Sequence, residues 1–335
     1  MPRPLDIVFA LPSGSLILDW AGPAEAFRIA HQELTPGAGS PALQLRFAAP
    51  LACTRSSVGA WIAGLEPLPE KLAAPAWVVV VGRTSSGDPA ADDAQDRAVT
   101  EWLARLQPGR SGLRLVTVCS GALLAADAGL LDGRRVTTHH LDLGELQRRA
   151  PKARVQANRV FVDDGEVWSS AGVTAGIDLA LHLVSDQFGP VIAARVAQRM
   201  AVALRRGPED PQLSPFLAHR QHLNARLHRV QDAVARSPRE PWDAQRMAEL
   251  ASTTPRSLNR LFAEHAGTTP AAWLRGLRIA LARSALAAGQ SVAQAVETAG
   301  FSSDLQLRRA WIAEGLPGVP SGRARPRLQA ANARH

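Results

Sequence analysis

The side chains best placed for chemistry fall in two groups. In the first, an apolar run at residues 114–118 leads into Cys119, Ser120 and Gly121, and Gly121-Ala-Leu-Leu then begins a helical pattern. A sharp strand-to-helix turn holds such a side chain clear of the sheet, and a helix N-terminus favours a thiolate. That spacing suits a nucleophile or a polar ligand site, and it equally suits an ordinary buried cysteine. In the second group, Arg256, Asn259 and Arg260 lie opposite Leu258, Leu261 and Phe262 on one helical pattern. Asp304, Gln306, Arg308 and Arg309 lie opposite Leu307, Ala310 and Trp311 on another. Arginine and asparagine can form paired hydrogen bonds to guanine and adenine edges, so both faces suit DNA, and both also fit a solvated helix surface.

The remaining candidates point to less. His139 and His140 are adjacent and would face opposite sides of a strand, which argues against a shared metal. His219 and His222 stand three apart on a helical pattern with no acid or cysteine nearby, which reads as a solvated face. Cys53 and Cys119 are the only cysteines, too few for a disulfide framework and without the spacing of a zinc site. Neither a metal nor a cofactor is expected.

Elements must hold these groups in place. Residues 5–11, 43–48, 77–81 and 114–118 read as strands, and 19–31, 93–106, 120–128 and 175–187 as helices. Asp163-Asp164-Gly165 between Phe161-Val162 and Val167-Trp168 reads as a hairpin turn. Apolar strands alternating with helices predict a flavodoxin-like α/β domain, a mostly parallel sheet with helices on both faces. The pattern changes after Ala203, where Arg205-Arg-Gly-Pro-Glu-Asp-Pro211 reads as a linker. Residues 219–236 could form one helix. Beyond it, residues 243–266 and 291–314 each show a short helix, a break and a second helix carrying arginine. Asp243, Thr254-Pro255 and Ser302-Ser303 supply helix starts, and Gly300 sits where a turn needs a positive φ. Residues 273–286 form an apolar-arginine spacer between the two pairs. The C-terminal domain is therefore expected to be all-α, with two helix-turn-helix units. The expected boundaries are 1–203 for the α/β domain, 204–240 for a linker and connecting helix, 241–320 for the helical domain and 321–335 for a disordered tail.

Charge separates the halves in the same way. The chain carries +8 in all, of which residues 1–200 hold −1 and residues 201–335 hold +9, with 19 arginines, no lysine and 10 acids in the latter. A basic domain beside a neutral one fits a polyanion partner, as it fits a solubilising surface. The first residues lack a basic leader before a long apolar run, and no stretch reaches 18 apolar residues. The expected location is the cytoplasm, with no membrane partner.

Several motifs in order now carry a resemblance. Thr254-Pro-Arg-Ser-Leu-Asn-Arg-Leu-Phe, Gly267-Thr-Thr-Pro, Leu277-Arg-Ile-Ala-Leu-Ala-Arg and Ala299-Gly-Phe-Ser-Ser resemble the AraC-family DNA-binding domain over residues 242–320. The resemblance implies two recognition helices in successive major grooves, with Arg256, Asn259, Arg260, Asp304, Gln306 and Arg309 at base- or phosphate-facing positions. Asp304 and Leu305 depart from the small polar or amide residues common there. Leu18-Asp19-Trp-Ala-Gly-Pro23, Val81-Gly82, Cys119-Ser-Gly and Ala128-Gly-Leu-Leu-Asp-Gly-Arg134-Arg-Val-Thr-Thr-His139 resemble the intracellular protease and isocyanide hydratase superfamily over residues 5–190, with the class I glutamine amidotransferase-like fold. Joined, the two halves resemble the GlxA-type regulators.

That resemblance implies a transcriptional regulator, not an enzyme. A small and nitrogen-containing metabolite would bind by Asp19, Gly82, Cys119 and Ser120, double-stranded DNA would bind by the C-terminal helices, and the protein would be a homodimer. Within the superfamily the elbow cysteine works with an acid near the first strand, here Asp19, and Gly82 would present N–H groups as an anion site. The rival reading is therefore a cysteine-dependent hydratase or hydrolase using Cys119 and Asp19. Ser120 stands where the protease-like branch has its histidine, which weakens the hydrolase version.

Overall fold

A computed structural model of the chain describes residues 4–35, 42–202, 206–208, 210, 212, 219–220, 222–287, 289–316 and 318–320. The expected tail and parts of the expected linker, among them Arg205, Glu209 and Pro211, lie outside these. The chain divides into two compact units, Met1–Gln212 and Leu213–His335.

The first unit is built on a sheet of seven strands. In chain order its elements are β1 (Leu5–Ala10), α1 (Ile17–Leu34), β2 (Leu43–Ala49), β3 (Cys53–Arg55), β4 (Trp61–Ala63), β5 (Glu66–Pro67), β6 (Ala76–Val80), α2 (Pro89–Leu103), β7 (Leu113–Val118) and α3 (Gly121–Asp127). There follow β8 (Arg135–Val136), α4 (Leu143–Arg149), β9 (Arg154–Val155), β10 (Phe161–Asp164), β11 (Val167–Ser170), α5 (Thr174–Phe188) and α6 (Pro190–Arg199). The sheet order is β10-β11-β7-β6-β1-β2-β5. Every pairing in it is parallel except the β10–β11 hairpin.

Alternation along the strands explains the layering. Ile7 and Phe9 of β1, Trp77 and Val79 of β6, and Val116 and Val118 of β7 face a core shared with α1, α5 and α6. Val78, Val80 and Leu115 face a second core shared with α2, α3 and α4. Strands buried on both sides need apolar residues at every position, which is why β6 reads Ala-Trp-Val-Val-Val without a polar break. Helices on both faces and a mostly parallel sheet match the expected fold class.

The second unit is helical: α7 (Ala225–Arg236), α8 (Ala244–Leu250), α9 (Pro255–Ala266), α10 (Pro270–Ala287), α11 (Val292–Ala299) and α12 (Asp304–Ala313). Its two cores meet along α10. Trp273, Leu274 and Leu277 pack with α7, α8 and α9, whereas Ile279, Ala282, Ala285 and Leu286 pack with α11 and α12. The spacer helix is thus a shared spine with one helix-turn-helix unit at each end.

Local caps start these helices. The side chains of Asn224, Asp243, Thr254 and Ser303 each accept a hydrogen bond from a first-turn N–H, and Ser291 with Gln294 forms a reciprocal capping box. Gly300 ends α11 at φ 73°, as the turn requires, and Phe301 plugs the core behind it. Two expectations are corrected. The single helix over 219–236 begins only at Ala225, because Asn224 caps it. His139 and His140 stand in a loop, not a strand, and their rings lie 4.2 Å apart between centroids.

Candidate functional site

Cys119 sits at the carboxyl end of β7, on the turn into α3, with φ 57°. Its N–H donates to the Ser170 carbonyl at 3.0 Å, and its carbonyl accepts from Thr138 Oγ1 at 2.7 Å. The strained turn is held from both sides. Asp19, fully buried in α1, accepts at Oδ2 from the Gly82 N–H at 3.1 Å and at Oδ1 from the Val173 N–H at 2.7 Å. Val173 itself has φ 51° and ψ −117°, a backbone conformation that β-branched residues avoid. The Asp19 carboxylate therefore ties three segments together at the foot of the elbow.

Backbone closeness makes glycine necessary around the thiol. A Cβ on Gly172 would stand 2.3 Å from Cys119 Cβ, and one on Gly82 would stand 2.6 Å from Asp19 Oδ2 and 2.7 Å from Cys119 Cβ. Sequence reading placed Asp19, Gly82 and Cys119 together, and they are together. Their electrostatics differ from expectation. Burial, then the Asp19 charge, pushes the Cys119 thiol up to about 12, against the lowering expected from the helix N-terminus. Burial likewise raises the Asp19 carboxyl, although its two backbone donors pull the other way. The Gly82 N–H already has an acceptor in Asp19, so it does not stand open as an anion site.

Ser120 is the member of this group that reaches open space. Its Oγ accepts from the Arg83 N–H at 3.1 Å and lines a cleft of about 410 Å³ with Arg83, Asp92, Asp93, Asp96, Leu123 and Asp142. Arg83 donates to both carboxylate oxygens of Asp96, at 2.7 and 2.8 Å, and lies 3.4 Å from Asp92. Burial works to raise the Asp92 pKa, but Ser86, Ser85 and Arg83 outweigh it and hold the carboxyl below its usual range. Asp93 and Asp142 form no ion pair among the described residues. Sequence reading missed these cleft residues. The available signal was Asp92 and Asp96, one turn apart on a helical pattern.

In the second unit, α9 buries Leu258, Phe262 and Ala266 and turns Arg256, Asn259 and Arg260 outward. Arg256 makes no hydrogen bond or ion pair among the described residues. Arg260 has only Glu264, 3.7 Å away and exposed, and Asn259 Nδ2 donates to the Pro255 carbonyl at 3.0 Å. On α12, Asp304 is held by Arg308 at 2.9 Å. Gln306 Oε1 accepts from the Ser302 N–H at 2.8 Å and from Ser302 Oγ at 3.1 Å. Arg309 is exposed and has no such partner among the described residues. Asn259, Gln306 and Arg309 line one groove of about 590 Å³ with Arg275 and Arg278 of α10, whereas Arg256, Arg260 and Asp304 lie outside it. Arg275 pairs with Glu314, and Arg278 donates to the Pro238 and Glu240 carbonyls.

The histidines also differ from their expected solvated helix face. His219 Nδ1 lies 2.7 Å from the Ala266 carbonyl, and His222 stacks on His228 with ring centroids 4.4 Å apart and faces His265 at 6.4 Å. Among the described residues no group of three or more metal-ligating side chains is placed to hold an ion, and no helix is long and apolar enough to cross a membrane.

Comparison with known proteins matches both units. The helix-turn-helix domain family matches residues 247–314, and the DJ-1/PfpI family matches residues 71–186. The HTH-type transcriptional regulator CdhR of Pseudomonas aeruginosa is 31% identical over 252 residues, covering 69% of this chain and 74% of that protein. The HTH-type transcriptional regulator GlxA of Rhizobium meliloti is 32% identical over 232 residues, covering 68% of this chain and 69% of that protein. A THiJ/PfpI family protein from Pseudomonas syringae superposes with a TM-score of 0.50 at 19% identity, covering 74% of this chain and 91% of that one, a likeness of fold.

Proposed function

The chain belongs to the family of HTH-type transcriptional regulators that includes CdhR and GlxA, a DJ-1/PfpI domain followed by an AraC-type helix-turn-helix domain, and on that premise we propose how it reads DNA and senses an effector. Arg256 and Arg260 read base edges from the first turns of α9, with Asn259 beside them. The observation that carries this is the outward face of α9, where among the described residues Arg256 has no partner and Arg260 only a weak exposed one. Such side chains can turn to guanine without breaking anything in the protein. On α12, Arg309 contacts the phosphate backbone, while Gln306 fixes the helix start through Ser302 and Asp304 orients Arg308.

The effector enters the cleft beside Ser120. Asp19, Gly82 and Cys119 lie buried beside Ser120, outside the cleft lining, and a thiol pushed up to about 12 by burial is disfavoured as a nucleophile near neutral pH. Cys119 thus serves shape and not catalysis. The open carboxylates of Asp93 and Asp142 favour a ligand with a cationic nitrogen, in keeping with a nitrogen-containing metabolite. Its binding shifts the balance between two arrangements of the chain that differ in DNA affinity. The protein acts in the cytoplasm as a homodimer, which would set two DNA half-sites.

DNA binding to the protein's own promoter region tests the first part. Wild type should bind with sequence preference, and Arg256→Ala or Arg260→Ala should weaken the preferred site by about 1–3 kcal/mol. Binding indifferent to sequence and to both substitutions would overturn it. A melting-temperature screen tests the second. Amino acids and quaternary amines should raise the transition, neutral amides and polyols should not, and Asp142→Asn should abolish the shift. A shift given equally by polyols would remove the cationic reading.

A further inference from the structure

We infer that Leu305 is a base-reading residue, recognising the 5-methyl group of a thymine at one position of the site bound by α12; this rests on the DNA reading above. Leu305 is a large apolar side chain left 56% exposed in the first turn of the helix. A single exposed leucine is ordinary on a protein surface, so its position decides the matter. α12 buries Leu307 and Ala310 on its inner side. Leu305 and Arg309 lie four apart, one turn above the other, on the side turned away from those two. Residues in the first turn of a recognition helix are the ones that reach base edges.

The neighbours leave Leu305 little competition. Asp304 is held by Arg308 at 2.9 Å. Gln306 Oε1 accepts from the Ser302 N–H and hydroxyl, so its side chain folds back over the helix start. In the first turn, therefore, the side chain without a local hydrogen-bonded role is apolar. The major groove presents one apolar group on any base edge, the thymine methyl. A branched aliphatic side chain packs on it and strands no polar atom, whereas against the cytosine amine or the purine acceptors it would leave a buried group unpaired. The pairing thus selects thymine at its position instead of merely tolerating it.

Replacing each thymine of a selected site by uracil removes only the methyl. With wild-type protein, one uracil within the α12 portion should weaken binding about fourfold, the scale of one buried methyl group. Leu305→Ala should bind the thymine and uracil forms equally, with an unchanged melting temperature because the side chain is exposed. Leu305→Gln should move the preference at that position toward adenine, which a side-chain amide can engage at N6 and N7. If the wild type binds with sequence preference and Arg256→Ala weakens it, yet no uracil position separates wild type from Leu305→Ala, this inference fails alone. If the wild type shows no sequence preference, both readings fall together.

Discussion

Asp19 accepts two backbone N–H groups and contributes no exposed surface, which makes it a fastener for the elbow. Asp19→Ala leaves the Gly82 and Val173 donors without their acceptor and should lower stability by about 1–3 kcal/mol in urea unfolding. An unchanged midpoint would mean that water replaces the carboxylate and that Asp19 has some other role. The thiol beside it gives a sharper test. At pH 8 a group titrating at about 12 is ionised in only about one molecule in 10⁴. Iodoacetamide should therefore modify the exposed Cys53 and spare Cys119 until the chain is denatured. Rapid labelling of native Cys53→Ser protein would restore Cys119 as a nucleophile. Proximity of Asp19, Gly82 and Cys119 was legible because their motifs resemble those of one superfamily. Their electrostatics were not, since they depend on burial and on the two donors to Asp19, Gly82 and Val173, the latter more than 150 residues away in the chain.

At the scale of elements, the helix starts of the second unit were legible because a cap is a local event. Asp243, Thr254-Pro255 and Ser303 each bond within three residues. Asn224 carried the same signal, but the apolar pattern of residues 219–236 runs through it, and the segment before it leaves the helix to pack three histidine rings. That packing predicts a pH dependence. Burial, then the charge of His228, holds the His222 pKa below its ordinary value; Gln231 opposes this, and His265 and Arg220 add to it. The unfolded chain, with His222 at about 6.5, therefore binds more protons than the folded one in the window below that value. Stability from His222 is present above it and is lost as pH falls through the depressed folded pKa. Asp232, paired with Arg220, is lowered from an already acidic value and adds nothing in that window. Denaturation of the full chain at pH 7.5 and pH 5.5 should show a loss that His222→Gln reduces. An equal loss in both proteins would place the dependence elsewhere, with the lowered His139 the next group to test.

Over the whole molecule, the net charge of +9 after residue 200 against −1 before it predicts that DNA affinity falls steeply with salt, each neutralised phosphate adding about 0.9 to the slope of log K against log salt. Counting arginines would overstate that slope, because many are already engaged. Arg275 is paired with Glu314, Arg308 with Asp304 and Arg246 with Glu240, and Arg278 donates to two backbone carbonyls ahead of α8. Burial lowers the Arg278 pKa, in keeping with a structural cation. Among the described residues Arg309 has no such engagement. Arg309→Ala should therefore reduce the slope by about one with the melting temperature unchanged. Arg278→Ala should do the reverse: it takes the donor from the Pro238 carbonyl and one of two donors from that of Glu240, lowers the melting temperature and keeps the slope. Equal slope changes in the two variants would mean that the bonds drawn inside the second unit open on DNA, so that net charge and not individual engagement sets the affinity.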